Sequence, residues 1–311
     1  MSVTSAGGEV ERQLPANDEI FLDHVAHFVR DADAASAALR RCGFAPTPAS
    51  IQVNADSSGA TRPTGTGNVT AMLKRGYLEV LFKTSDTPLS EELDAALARH
   101  AGVHLAAFAV ADAVKAYGRL AANGFHTREL VRMRRPVTTA NGEATASFTI
   151  ARVAPNVMPE GRIQFLTHHT EDTVWQARWL NHPNSAMGLI DVVVAVADLD
   201  EALQRFTRFT GRAATMQLSD AALIRLDRGG IYLLTHHRAT EKLPEVAIPA
   251  PPFIIGYALQ VGSLAAAETA VDNADLEWRA IEDGIVASFP SELGEGAWFF
   301  VEQPDALPWR W

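Results

Sequence analysis

Histidine and glutamate on neighbouring strands can hold a divalent cation or pass a proton between them. His24 and Glu79 are the candidates here. His24 lies in the run Phe21-Leu22-Asp23-His24-Val25-Ala26-His27-Phe28-Val29, whose β-branched and aromatic content predicts a strand. Side chains alternate along a strand, so His24 shares a face with Ala26 and Phe28. Glu79 sits in Tyr77-Leu78-Glu79-Val80-Leu81-Phe82, where Tyr77, Glu79 and Leu81 share a face. The opposite faces, Val25 and Val29 or Leu78, Val80 and Phe82, are more uniformly apolar and suit packing against a helix. A buried glutamate is costly unless it is paired or bound to a cation, so the two polar faces are expected to converge on one cavity. Adjacent histidine pairs, His168-His169 and His236-His237, point apart on a strand and make no chelate by themselves.

The elements that must position these residues form a repeating pattern. Val29-Arg30-Asp31, Val110-Ala111-Asp112, Val196-Ala197-Asp198 and Val261-Gly262-Ser263 each end an apolar strand on a residue suited to capping a helix. Each is followed about 12 or 13 residues later by a stop: Gly43, Gly124, Gly211 and Asp275. That spacing predicts four helices of roughly three turns. Short strand-like runs follow each one, so every unit reads β-α-β-β-β. The predicted units lie near residues 20–83, 103–167, 189–235 and 256–303. The expected class is α+β with tandem βαβββ modules. The expected division is a flexible arm at 1–19, a first domain at 20–168, a connector at 169–188, a second domain at 189–304 and a tail at 305–311.

In the connector, Thr170 is predicted to cap a short helix carrying Trp175 and Trp179 four residues apart on one side, as packing for the barrels or as a rim over a site. The tail Pro308-Trp309-Arg310-Trp311 is expected to dock on the surface or on a second subunit.

Composition limits the function. The chain has 311 residues, 47% of them hydrophobic and 21% charged, which permits a large core. A net charge of -10 argues against general nucleic-acid binding. The single cysteine, Cys42, can form no intramolecular disulfide. The first eight residues lack a basic segment followed by an apolar run, and no apolar stretch reaches the roughly 18 residues a membrane span needs. A cytoplasmic protein is expected, acting on a small molecule, with no membrane partner and with a homodimer possible.

Four βαβββ units, with Leu22-Asp23-His24-Val25, Gly65-Thr66-Gly67-Asn68 and Tyr77-Leu78-Glu79-Val80-Leu81, resemble the glyoxalase-like branch of the vicinal oxygen chelate superfamily. The resemblance covers about residues 20 to 303. It implies paired units forming a cup, with a divalent metal (Zn, Ni, Mn or Fe) held by residues of first and last strands and acting as a Lewis acid on vicinal oxygens. His24 and Glu79 fall on ligand positions of the first unit. In the second unit Gln164 takes the last-strand position and Leu105 the first-strand position, with His104 adjacent and one residue out of register. The implied ligands are His24, Glu79, Gln164 and His104, with Glu79 and Tyr77 as proton-transfer groups.

Arg128, Arg132, Arg134 and Arg135 read as a solvated strand or loop, or as a basic rim that draws a carboxylate or phosphate substrate; Asn68, Arg132 and Arg134 are the expected substrate contacts. The Gly65 to Asn68 run reads either as a tight turn or as backbone amides facing an anion. The implied function is a metalloenzyme, a lyase, isomerase or hydrolase, acting on a small oxygenated substrate. A metal-free binding or resistance protein of the same fold is the alternative. An extradiol-type dioxygenase, which needs two histidines and a glutamate, meets Asp191, Tyr257 and Glu302 at the matching places, and only the last fits.

Overall fold

The four predicted helix starts are capped as their sequences require. Asp31, Asp112, Asp198 and Ser263 each accept a backbone N–H from the first turn through their side chains. The stops are left-handed, at Gly43 (φ 75°), Gly124 (φ 78°), Gly211 (φ 70°) and Asp275 (φ 54°). A computed structural model describes residues 12–55 and 60–309.

The first unit comprises β1 (Ile20–Val29), α1 (Ala32–Arg41), β2 (Ser50–Ala55), β3 (Thr61–Met72) and β4 (Tyr77–Lys83), followed by α2 (Pro88–Arg99). The second comprises β5 (Gly102–Val110), α3 (Ala113–Ala122), β6 (Val131–Thr139), β7 (Gly142–Arg152) and β8 (Arg162–His168), followed by the single turn α4 (Glu171–Val174). The third comprises β9 (Ala186–Val196), α5 (Leu199–Thr210), β10 (Met216–Gln217), β11 (Ala221–Arg225) and β12 (Gly230–Thr235), followed by α6 (His236–Lys242). The fourth comprises β13 (Phe253–Val261), α7 (Leu264–Asn273), β14 (Trp278–Ile281), β15 (Gly284–Ser288) and β16 (Ala297–Val301).

In the first two units the strands run in the order β1-β4-β3-β2-β6-β7-β8-β5, and pairing of β1 with β5 closes the ring. Each first strand is parallel to its own last strand, β1 to β4 and β5 to β8. In the last two units β13 and β9 pair at the centre, with β12-β11-β10 on one side and β16-β15-β14 on the other. Strand pairing of Ile254 with Val103 joins the two halves.

Alternation sorts the apolar residues into separate cores. One, with Ala26, Tyr77, Leu81, Leu105 and Phe148, fills the inside of the first ring and is covered by Leu93 and Leu97 of α2 and by Trp175. A second lies between strands and helices and spans both halves. The third, with Val193, Tyr232, Ile255 and Phe299, fills the second cup.

Three expectations change. The hydroxyl of Thr170 does not cap α4; it accepts the backbone N–H of Ser147 at 2.9 Å and fastens the connector to β7. Of the expected arm, residues 1–11 lie outside the described residues. Residues 12–19 dock, with Gln13 buried and its amide bonded to the carbonyl of Lys74. Trp309 does not sit on the surface: it is buried inside the second cup, stacked on Tyr232 at 4.7 Å. Arg310 and Trp311 lie outside the described residues. No helix among the described residues is long and apolar enough to cross a membrane.

Candidate active site in the first cup

Parallel pairing of β1 with β4 sets His24 opposite Tyr77 and Ala26 opposite Glu79. Both polar side chains therefore enter the cup one pleat apart, with His24 Nε2 3.7 Å from Glu79 Oε2. The ring of Tyr77 stacks on His24 at 4.4 Å and 18°. Burial, then the neighbouring Asp23 and Glu79, raise the Tyr77 phenol well above its ordinary pKa, so it stays protonated.

Two partners beneath His24 were not expected. A register shift between Leu22 and His24 against β5 makes Asp23 the extra residue of a β-bulge. That turns its carboxylate onto the same side as His24, whose Nδ1–H donates to Asp23 Oδ2 at 2.7 Å. His168 Nε2–H donates to the other oxygen at 2.9 Å. Burial opposes ionisation of Asp23, yet His168 and His24 hold its carboxyl below the usual carboxylate range. An ionised carboxylate can only accept, so it fixes His24 with Nδ1 protonated and Nε2 turned to the cavity.

Glu79 is held from the other side. Its Oε1 accepts from Asn68 Nδ2 at 2.6 Å and from Gln52 Nε2 at 3.3 Å. Gln52 is itself fixed by Thr66 Oγ1 at 2.8 Å. Oε2 is left facing His24. Asn68 thus positions Glu79. The Gly65 to Asn68 run is neither a turn nor an open amide cradle: it lies within β3, where Gly67 pairs with Phe82 of β4. A Cβ on Gly67 would come within 2.7 Å of the Phe82 ring.

The cavity, about 30 Å³, is lined by His24, Gln52, Asn68, Tyr77 and Glu79 on one side and by Leu105, Arg135, Arg152, Arg162 and Gln164 on the other. Arg152 and Arg162 also wall a larger groove of about 290 Å³.

Three expected residues lie elsewhere. His104 lines that groove, where its Nε2–H donates to the carbonyl of His100 at 2.9 Å. The β1–β5 register shift at Ala26 and His27 does not bring it to Glu79; Leu105 keeps the inward position. Arg132 and Arg134 are exposed, and alternation turns Met133 and Arg135 inward instead. Arg152 and Arg162 were legible by the same rule, since Arg152 continues the inward face of Phe148 and Ile150, and Arg162 that of Gln164. His168 lies on that last face too.

Donor chemistry tests the implied metal. His24 Nε2 and Glu79 Oε2 have a spacing that two ligands about 2.0–2.2 Å from one ion can take. The remaining corners fail. Leu105 is apolar, and Gln164 Oε1 already accepts from Arg152 Nε at 2.9 Å. Arg135, Arg152 and Arg162 all act electrostatically on Glu79. A dication would enter a site with surplus positive charge. No three His, Cys, Asp or Glu side chains gather as ligands among the described residues. This donor set does not fit a resident divalent ion.

The dioxygenase positions do not meet. Asp191 is inside the second cup, bonded to Trp309. Tyr257 is on the other sheet face, where its O–H donates to His27 Nε2 and its oxygen accepts from Trp298 Nε1, each at 2.8 Å. Glu302 accepts the N–H of Leu264 at the start of α7.

The family model described as Glyoxalase-like domain matches residues 22–210, more than half of the chain. No curated protein matches in sequence. Similar solved structures include a hypothetical protein from Staphylococcus aureus (TM-score 0.63, 8% identity, 90% of this chain and 98% of that one). A mutant 4-hydroxymandelate synthase from Streptomyces coelicolor has TM-score 0.51 at 15% identity, covering 91% and 92%. The Mn(II)-bound glyoxalase from Novosphingobium aromaticivorans has TM-score 0.52 at 14% identity, covering 92% and 82%. At these identities the likeness is one of fold.

Proposed function

We propose, for a chain that belongs to the Glyoxalase-like domain family, that the cup of its first half takes a small oxygenated molecule and moves a proton on it between His24 and Glu79. One observation carries this reading: His24 Nε2 and Glu79 Oε2 face each other at 3.7 Å across a cavity, each anchored from behind. His24 Nε2 is the acceptor for a substrate proton. Asp23 accepts the Nδ1–H hydrogen bond and stabilises the imidazolium that forms, and Glu79 Oε2, 3.7 Å from Nε2, takes that proton from the imidazolium and delivers it to the neighbouring substrate atom, so the substrate loses one proton and regains one. Tyr77 keeps the imidazole plane aligned by stacking. The reaction class is proton transfer next to a carbonyl or hydroxyl, as in an isomerase or lyase. The residues of the cup do this without a resident metal.

The test combines metal analysis with hydrogen exchange. Protein purified without chelator or added metal should hold no stoichiometric Zn, Ni, Mn or Fe. In D₂O it should exchange the α-hydrogens of a small 2-oxo or 2-hydroxy compound, followed by NMR over a panel of such compounds. His24→Ala and Glu79→Gln should each slow that exchange on the order of 10²- to 10⁴-fold. Stoichiometric metal lost with activity on chelation would overturn the metal-free mechanism. Full exchange by the double variant would overturn the assignment, and binding without exchange would make the protein a ligand-binding member of the fold.

A further inference from the structure

Arg135 and Arg152 are 7% and 6% exposed, both wall the His24–Glu79 cavity, and neither is ion-paired among the described residues. Arg152 spends its Nε–H on the neutral Gln164. The Arg135 guanidinium makes no hydrogen bond among the described residues. None of the nearby carboxylates forms an ion pair with Arg135 or Arg152 among the described residues. Glu79 Oε1 is taken by Asn68 and Gln52, and Asp23 by two histidines. Glu92 holds Arg128 at 2.6 Å and lies 3.6 Å from Arg162. Burial pulls both guanidiniums below their ordinary pKa, Arg152 to about 9, and both remain charged at neutral pH. Glu79 is a counter-charge to both, but from beyond ion-pair contact and shared with Arg162; surplus buried positive charge is costly, and a folded chain keeps it where a ligand supplies the opposite charge.

We infer that the molecule taken by the first cup is a carboxylate, its acid group held by Arg135 and Arg152 and its reacting carbon set against His24 and Glu79. This rests on the proton-transfer reading for the second half of the statement only; anion capture stands on the arginines alone. A guanidinium presents paired N–H donors that match the two oxygens of a carboxylate. The cavity has room for a few atoms, and the remainder of a larger substrate extends past Arg152 and Arg162 into the adjoining groove. Arg99 also lines that groove and adds to its positive wall, while Arg128 there is paired with Glu92. An overall acidic protein thus concentrates arginine at one opening, which steers an anion there.

The experiment titrates the full chain with pyruvate and oxalate, and with methyl pyruvate as the uncharged counterpart, at constant ionic strength, by calorimetry and thermal melts. Both anions should bind and raise Tm, and the ester should bind about tenfold more weakly or worse. Arg152→Gln and Arg135→Met should each weaken anion binding by about tenfold or more. Arg135→Met should also raise the Tm of the ligand-free protein, because a side chain of similar length replaces a buried charge that no ion pair offsets. A purely structural arginine would lower it. Arg135→Lys keeps the charge and covers the case in which Met fails to fold; it should retain part of the affinity for both anions. Glu79→Gln should leave anion binding intact or tighten it, so loss of proton transfer and loss of binding are read apart. Equal affinity for acid and ester, no anion binding by the wild-type chain, or unchanged binding in the arginine variants would overturn the proposal.

Discussion

Trp309 Nε1 donates to Asp191 Oδ2 at 2.8 Å inside the second cup. The register of the third unit explains what this contact occupies. Val193 pairs with Tyr232, two residues past Asp191, as Ala26 pairs with Glu79 two residues past His24. Asp191 and Tyr232 therefore stand where His24 and Glu79 stand in the first unit. Trp309 fills the space between them, stacked on Tyr232 at 7° and edge-on to Phe299 at 5.1 Å. One half of the protein keeps a polar cavity; the other closes the equivalent place with its own indole.

Removing that indole should be felt as stability. Trp309→Ala leaves a large apolar cavity and should cost about 3–5 kcal/mol. Trp309→Phe keeps most of the packing but loses the bond to a buried carboxylate, and should cost about 1–3 kcal/mol. Denaturant unfolding of the three proteins checks the order; equal midpoints would mean that the tail contributes nothing to the second cup.

Asp191→Asn tests the division of labour between the halves. The amide keeps the size of the side chain and an acceptor for Trp309, and the proposed site of proton exchange lies in the other cup. Exchange should stay within a few-fold of wild type. A loss of about 100-fold with the fold intact, equivalent to roughly 2.7 kcal/mol, would move the active site to the second half.

The carboxylate beneath His24 should matter as much as His24 itself. Asp23→Asn preserves size but places a donor where His24 and His168 both offer one, so at least one contact is lost and the His24 tautomer is no longer fixed. Exchange should fall on the order of 10²-fold or more. His24 resonances in a nitrogen-edited NMR spectrum should show a changed tautomer ratio. An unchanged ratio would remove Asp23 from the mechanism.

Acid should destabilise the fold before it protonates ordinary carboxylates. Burial lowers His27 to about 4 and His104 to about 3. Both stay neutral in the folded chain while the unfolded chain takes up protons near pH 6.5. The unfolded state then binds more protons, so stability falls as pH drops from about 6.5 toward about 4. The slope approaches roughly 1.4 kcal/mol per pH unit for each histidine. Asp23, held low, adds a further loss of the same sign below its unfolded pKa. Urea midpoints between pH 7 and 4.5 measure the slope, and His104→Gln should make it shallower. A flat profile would contradict the buried neutral histidines.

The sequence by itself determined the unit: a strand, a capping Asp or Ser, a helix of about three turns and a left-handed stop, because each of these depends on residues a few positions apart. It also determined that Tyr77 and Glu79 share one face of their strand, and that His24 shares one with Ala26 and Phe28, since strand alternation is local. Three things depended on the tertiary structure. A one-residue bulge at Asp23 decided that this carboxylate turns toward His24, and bulges arise from pairing between distant strands. The register of β6 against its neighbours decided that Arg135, and not Arg132 or Arg134, enters the cup, because a shift of one residue exchanges the two faces. Which cup stays open was decided by where the tail folds back, a contact between Trp309 and Asp191 that spans 118 positions in the chain.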